Sequence, residues 1–142
     1  MTKKQLAVLQ ILDAKDYSKA LQDIEILSDE EKKHGRIIIA KADAFYELNK
    51  DIDALREYIE YCKNYPSGRG LGFALFGAAM CLKNLDLQDE ALLILQLVPP
   101  DHFGLQAEVE DSQALLKRQS DARDLLKSWG GLKSEFDKST VL

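Results

Sequence analysis

Histidine, cysteine and proline are scarce in this 142-residue chain, and each scarcity excludes something. There are two His, two Cys, three Pro and one Trp. His34 and His102 stand alone and far apart, with no acidic helix spacing around either, so no metal or catalytic set can be assembled on them. Cys62 and Cys81 form no Cys-x-x-Cys pair and sit in apolar helical surroundings, which predicts two reduced, buried thiols. Proline occurs only at 66, 99 and 100, leaving long stretches open to helix. No apolar run is long enough for a membrane span, and Met1-Thr2-Lys3-Lys4-Gln5 leads into an amphipathic pattern rather than a leader, so the expectation is a cytoplasmic protein. A basic stripe is also missing. Lys and Arg are scattered and the formal net charge is −5, which argues against nucleic acid and against anionic membranes as partners.

What is present is apolar helical sequence with a period. Apolar residues make up 46% of the chain, enough for the core of one domain. Ala20, Ala54 and Ala91 each sit in a Lys-Ala-Leu, Asp-Ala-Leu or Glu-Ala-Leu triplet; 34 residues separate the first two and 37 the next two. A helical period of this length is the mark of a repeat made of two antiparallel helices. With these alanines as position 20 of a unit, position 8 holds Val8, Ala42 and Ala79, and position 11 holds Ile11, Phe45 and Leu82. Position 24 holds Ile24, Tyr58 and Leu95, and position 27 holds Leu27, Tyr61 and Val98. Pro66 and the pair Pro99-Pro100 punctuate the unit ends.

The segments Asp16-Tyr17-Ser18-Lys19-Ala20-Leu21, Asp51-Ile52-Asp53-Ala54-Leu55 and Asn64-Tyr65-Pro66 resemble the tetratricopeptide repeat. The resemblance covers about residues 3–100 as three units, weakest in the first. Where that family carries Trp at position 4, this chain has Lys4, Ile38 and Leu75, and where it carries Gly at position 8 there is Val or Ala. The resemblance implies an all-α fold of antiparallel helix pairs stacked as about three repeats. Helices are predicted at 3–14, 17–28, 30–48, 52–64, 70–84 and 88–98. A C-terminal helical region over 103–129, as one helix or two, would cap the array. It carries Leu105, Leu115, Leu116, Leu125, Leu126 and Trp129. One domain over 1–129 and a short, polar, mobile tail over 130–142 complete the expectation.

The resemblance also implies a concave groove lined by the first helix of each unit, at positions 2, 5, 9, 12 and 13. In the first unit these are Thr2, Gln5, Leu9, Leu12 and Asp13, and in the second Arg36, Ile39, Asp43, Tyr46 and Glu47. In the third they are Phe73, Phe76, Met80, Lys83 and Asn84. Residues 71–85 are apolar nearly all round, and such a helix must be covered all round. Packing within the repeat covers one side only, so Ile39, Tyr46, Phe73, Phe76 and Met80 need another cover. Three are open: the chain's own C-terminal helix, a partner's amphipathic helix or extended peptide, or a second copy in a homodimer. The partner-binding residues expected are therefore Leu9, Leu12, Arg36, Ile39, Asp43, Tyr46, Phe73, Phe76, Met80 and Lys83.

Weaker signals have plainer readings. Ser67-Gly68-Arg69-Gly70-Leu71-Gly72 lacks the Lys-Ser/Thr ending of a phosphate loop and follows a helix, so it reads as an inter-repeat turn. Asp51/Asp53 and Asp86/Asp89 fall at helix starts, where capping and the helix dipole account for them. Thr140-Val141-Leu142 has a form read by carboxylate-capturing domains, but so short a match arises often by chance. No catalytic set, metal or cofactor is expected. The sequence reads as a protein-binding module, a small cytosolic chaperone or adaptor. Phe76 to Lys83 followed by Glu90-Ala91 is similar to the small chaperones of type III secretion systems. The alternatives are a scaffold or regulatory adaptor for a short motif, or a homodimeric assembly factor whose groove is filled by its own copy.

Overall fold

The computed structural model describes residues 1–99 and 106–129. These form eight helices and, among the described residues, no strand: α1 (Lys3–Asp13), α2 (Tyr17–Glu25), α3 (Asp29–Lys32), α4 (Gly35–Glu47), α5 (Asp51–Asn64), α6 (Leu71–Asn84), α7 (Gln88–Leu95) and α8 (Gln106–Trp129). None is long and apolar enough to cross a membrane. The expected residues Leu105 and His102, Pro100, the tail over 130–142 and its Thr140-Val141-Leu142 end lie outside the described residues.

Positions one unit apart in sequence meet the same fate in space. Ala20, Ala54 and Ala91 are fully buried, as are Ala42 and Ala79, with Val8 at 1% exposure. Ile24, Tyr58 and Leu95 are buried in turn, and so are Leu27, Tyr61 and Val98. Small side chains recur at these fully buried positions, where they let packed helices come close, with Val8 filling the equivalent place in the first unit. The turns from α1 to α2, from α4 to α5 and from α6 to α7 are also alike. Lys15, Asn49 and Asp86 each take a left-handed conformation, with φ of 63°, 60° and 66°. In each turn that residue's N–H donates three residues back and the next N–H donates five back: Asp16 to Ile11 O at 3.2 Å, Lys50 to Phe45 O at 2.9 Å, Leu87 to Leu82 O at 2.8 Å. This is the Schellman ending of a helix, which satisfies its last carbonyls and turns the chain back on itself.

Each helix beyond α3 packs on its successor, and α4 also packs on α1, α2 and α6. Thus α1, α4 and α6 lie side by side as one row, with α2, α5 and α7 behind. The core falls into three adjoining clusters: Val8, Ile24, Leu27 and Ile37 between the first helices; Ile38, Ala54, Tyr58, Tyr61, Ala78 and Cys81 in the middle; Ala79, Met80, Ala91, Leu95 and Leu116 at the far end. Cys81 is buried and Cys62 half-buried, and neither is in a disulfide. Burial pushes the Cys81 thiol up to about 12 and raises Cys62 in the same direction, so both stay protonated and unreactive at neutral pH.

The predicted helix over 30–48 is in fact two. Ser28 starts the single turn α3 with a capping box, in which its side chain accepts from Glu31 N–H and Glu31 accepts from Ser28 N–H. His34 then caps α4, its Nδ1 accepting from Arg36 N–H at 3.2 Å. Two caps in succession interrupt the ladder where apolar periodicity alone shows no break. The predicted helices over 17–28 and 88–98 are shorter, ending at Glu25 and Leu95. The region over 106–129 is one helix.

Candidate functional site

The row formed by α1, α4 and α6 carries a groove. Ile39, Asp43 and Tyr46 recur along α4 at intervals of four and three, and Phe73, Phe76 and Met80 along α6 at three and four, so each trio shares one helix face. The two faces enclose a hollow of about 270 Å³, lined by these six residues together with Tyr58 and Gly77. Phe73 is 52% exposed and Phe76 half-buried. Met80, at 9%, forms floor rather than wall, because the same side chain packs in the far core cluster against α7 and α8.

Tyr58 and Gly77 were not among the expected groove residues. Tyr58 rises from α5 between α4 and α6, with its ring buried and its hydroxyl donating to Asp43 Oδ1. Gly77 makes room for that ring. A Cβ at position 77 would come within 2.6 Å of Tyr58 Cε1. The sequence did hold a signal, since Tyr58 stands at a core position occupied by Ile24 and Leu95 in the neighbouring units. A buried tyrosine hydroxyl requires an acceptor, and Asp43 on the facing helix is one.

Burial raises the Asp43 carboxyl above the ordinary carboxylate range; the Tyr58 hydroxyl opposes this in part, and the charge of Glu47 adds to it. Burial also pushes Tyr58 upward, with Asp43 adding to it, so the hydroxyl keeps its proton and can donate it to Asp43. The groove floor is therefore apolar except for one hydrogen-bonded carboxylate.

A second hollow, of about 440 Å³, adjoins the first and shares Asp43 and Tyr46 with it. It lies between the end of α1 and α4 and is lined further by Leu12, Asp13, Lys15, Tyr17 and Glu47. Of the ten expected partner-binding residues, seven line one hollow or the other. Arg36 and Lys83 lie outside both linings. Leu9 is half-buried against the first core cluster, because α1 packs on both α2 and α4 and draws that face inward.

Thr2 and Gln5 belong to a different structure. Gln5 is buried, its Oε1 accepting from Thr2 N–H at 2.8 Å and its Nε2 donating to Glu31 O at 3.0 Å. Thr2 Oγ1 donates to the Glu31 carboxylate, which is held below its usual range by Thr2 first and then by the Ser28 N–H. The capping boxes of α1 and α3 are thus locked together. They border an open cleft of about 980 Å³, lined by Lys3, Lys33, His34, Glu30 and other mostly charged and polar side chains.

The glycine-rich turn is occupied by aromatic packing. Gly70 N–H donates to the Tyr61 hydroxyl at 3.0 Å, and Tyr61 stacks on Tyr65 with ring centroids 5.0 Å apart. A Cβ at Gly70 would meet Ile39 Cδ1 at 2.6 Å, so this glycine allows the turn to close against the groove wall. The acidic residues at helix starts differ from expectation in detail. Asp51, Asp53 and Asp89 lie in first turns, where the dipole favours them, but the N-cap positions are Lys50 and Leu87 and carry no side-chain cap. Asp86 is the left-handed residue after α6 and accepts from Gln88 and Arg123. Among the described residues no group of three His, Cys, Asp or Glu is placed to hold a metal. No protein-family model, curated protein or solved structure matches the chain.

Proposed function

We propose that this chain is a non-enzymatic protein-binding module, tetratricopeptide-like in design, that holds an apolar segment of a partner protein across its α1–α4–α6 row as a chaperone or adaptor. One observation carries the reading: Ile39, Tyr46, Phe73, Phe76 and Met80 converge from two helices on one hollow. Aromatic and Met side chains of this kind are enriched in interface cores, and each apolar anchor set into such a hollow is worth about 1.5–3 kcal/mol on burial. The chain's own α8 is engaged elsewhere. It packs on α7 through Leu116, with Ser120 donating to Asp89 at 2.8 Å, and lines neither groove hollow.

Affinity capture from the native cytosol, with Phe76→Glu as control, tests the reading. The expected outcome is a stoichiometric protein partner retained by the wild type and lost by the variant, with helicity by circular dichroism unchanged. Equal capture by both forms would remove the groove from the account. Met80→Glu is unsuited as a second control, because Met80 also belongs to the core and a charge there would unfold the far end.

A further inference from the structure

The two hollows differ in chemistry although they share Asp43 and Tyr46. On the α6 side the lining is apolar and aromatic apart from Asp43. On the α1 side it holds three carboxylates, Asp13, Asp43 and Glu47, against one lysine, Lys15. None of the three carboxylates is in an ion pair among the described residues. We infer that the groove takes a partner segment that is apolar along one part and carries Lys or Arg beside it, laid across the row with its apolar part between α4 and α6 and its cation over Asp13, Asp43 and Glu47. The inference rests on the protein-binding reading above and adds the partner's chemistry to it.

Two further observations support the basic end. The Asp43 carboxyl is raised by burial and by Glu47 against the lowering hydrogen bond from Tyr58, so a partner's ammonium or guanidinium placed beside it would favour its charged form and gain a charge-assisted contact. The chain as a whole is acidic, at −5, which steers cationic segments toward it. Arg36 and Lys83 stand outside both linings and do not occupy the acidic end.

The test is fluorescence anisotropy of the full chain with fluorescein-labelled synthetic peptides. All share one core of Leu and Phe, and they carry Arg-Arg, Gln-Gln or Glu-Glu at either end. The Arg-Arg peptide should bind about tenfold more tightly than the Glu-Glu peptide at low salt, with the difference shrinking at high salt. Asp43→Asn combined with Glu47→Gln should erase the preference, bringing the Arg-Arg and Glu-Glu affinities together. If that pair lowers helicity, exposed Asp13→Asn carries the same comparison.

Equal affinity for all three peptides, lost in Phe76→Glu, would overturn the charge assignment and leave the protein-binding reading standing. No peptide binding would overturn both. Sedimentation of a dimer that Phe76→Glu converts to monomer would then identify a second copy as the occupant.

Discussion

Asp43, Tyr58 and Gly77 are a dependent set in which each residue explains the next. Gly77 leaves space for the Tyr58 ring, and the ring brings its hydroxyl to Asp43. Gly77→Ala should therefore destabilise the protein by about 1–3 kcal/mol, as overpacking does, despite the better helix propensity of alanine; urea denaturation checks this. Asp43 has the opposite character. Its pKa is raised in the folded state, so its contribution to stability is full below the ordinary carboxylate range and is lost as pH rises through the raised value. Asn keeps an acceptor for Tyr58 and carries no charge. Asp43→Asn should match the wild type near about pH 4 and be more stable near about pH 7, read from urea midpoints at both. Glu31, held below its usual range, acts in the other sense, supporting the fold above that range and losing its contribution as pH falls through the lowered value. A carboxylate kept at a cost in stability is what a functional site would retain. The sequence placed Asp43 in the groove but read Tyr58 as plain core, because position alone does not say where a hydroxyl ends.

At the scale of elements, the repeat is written in backbone as well as in side chains. The three left-handed residues fall at equivalent places, yet they are Lys15, Asn49 and Asp86. Asn and Asp tolerate this conformation, whereas a lysine there is strained against its Cβ. Lys15→Gly should stabilise the protein by about 1 kcal/mol, measured by denaturant titration, while Asn49→Gly should gain less. Helix existence and order were legible from the apolar period, since a stripe at helical spacing has one stable solution. The break between α3 and α4 was not, because it is made by Ser28, Glu31 and His34 through local hydrogen bonds that leave the apolar pattern untouched. The shared turn geometry was equally hidden, as lysine is no signal for a left-handed position.

For the whole molecule, α8 closes the far end of the array through one fully buried residue, Leu116, with Val109 and polar ties beside it. Leu116→Ala should cost about 2–5 kcal/mol, and amide exchange should show α8 opening first while α4 to α6 stay protected. Leu125 and Leu126 on that helix remain exposed.

Sequence by itself determined the class of fold, the order of the longer helices and the faces that meet, because burial repeats with the helical period and small residues recur at the buried positions of each unit. It also carried most of the groove, since residues on one helix face at one place in successive units must line up once the units pack. Only the tertiary structure decided which of those residues stay at the surface. Leu9, Gln5 and Met80 turned inward because a neighbouring helix or a capping network claimed them, and Tyr58 entered the groove from behind because Gly77 left the space. Such outcomes depend on contacts between elements far apart in the chain, which no local pattern encodes.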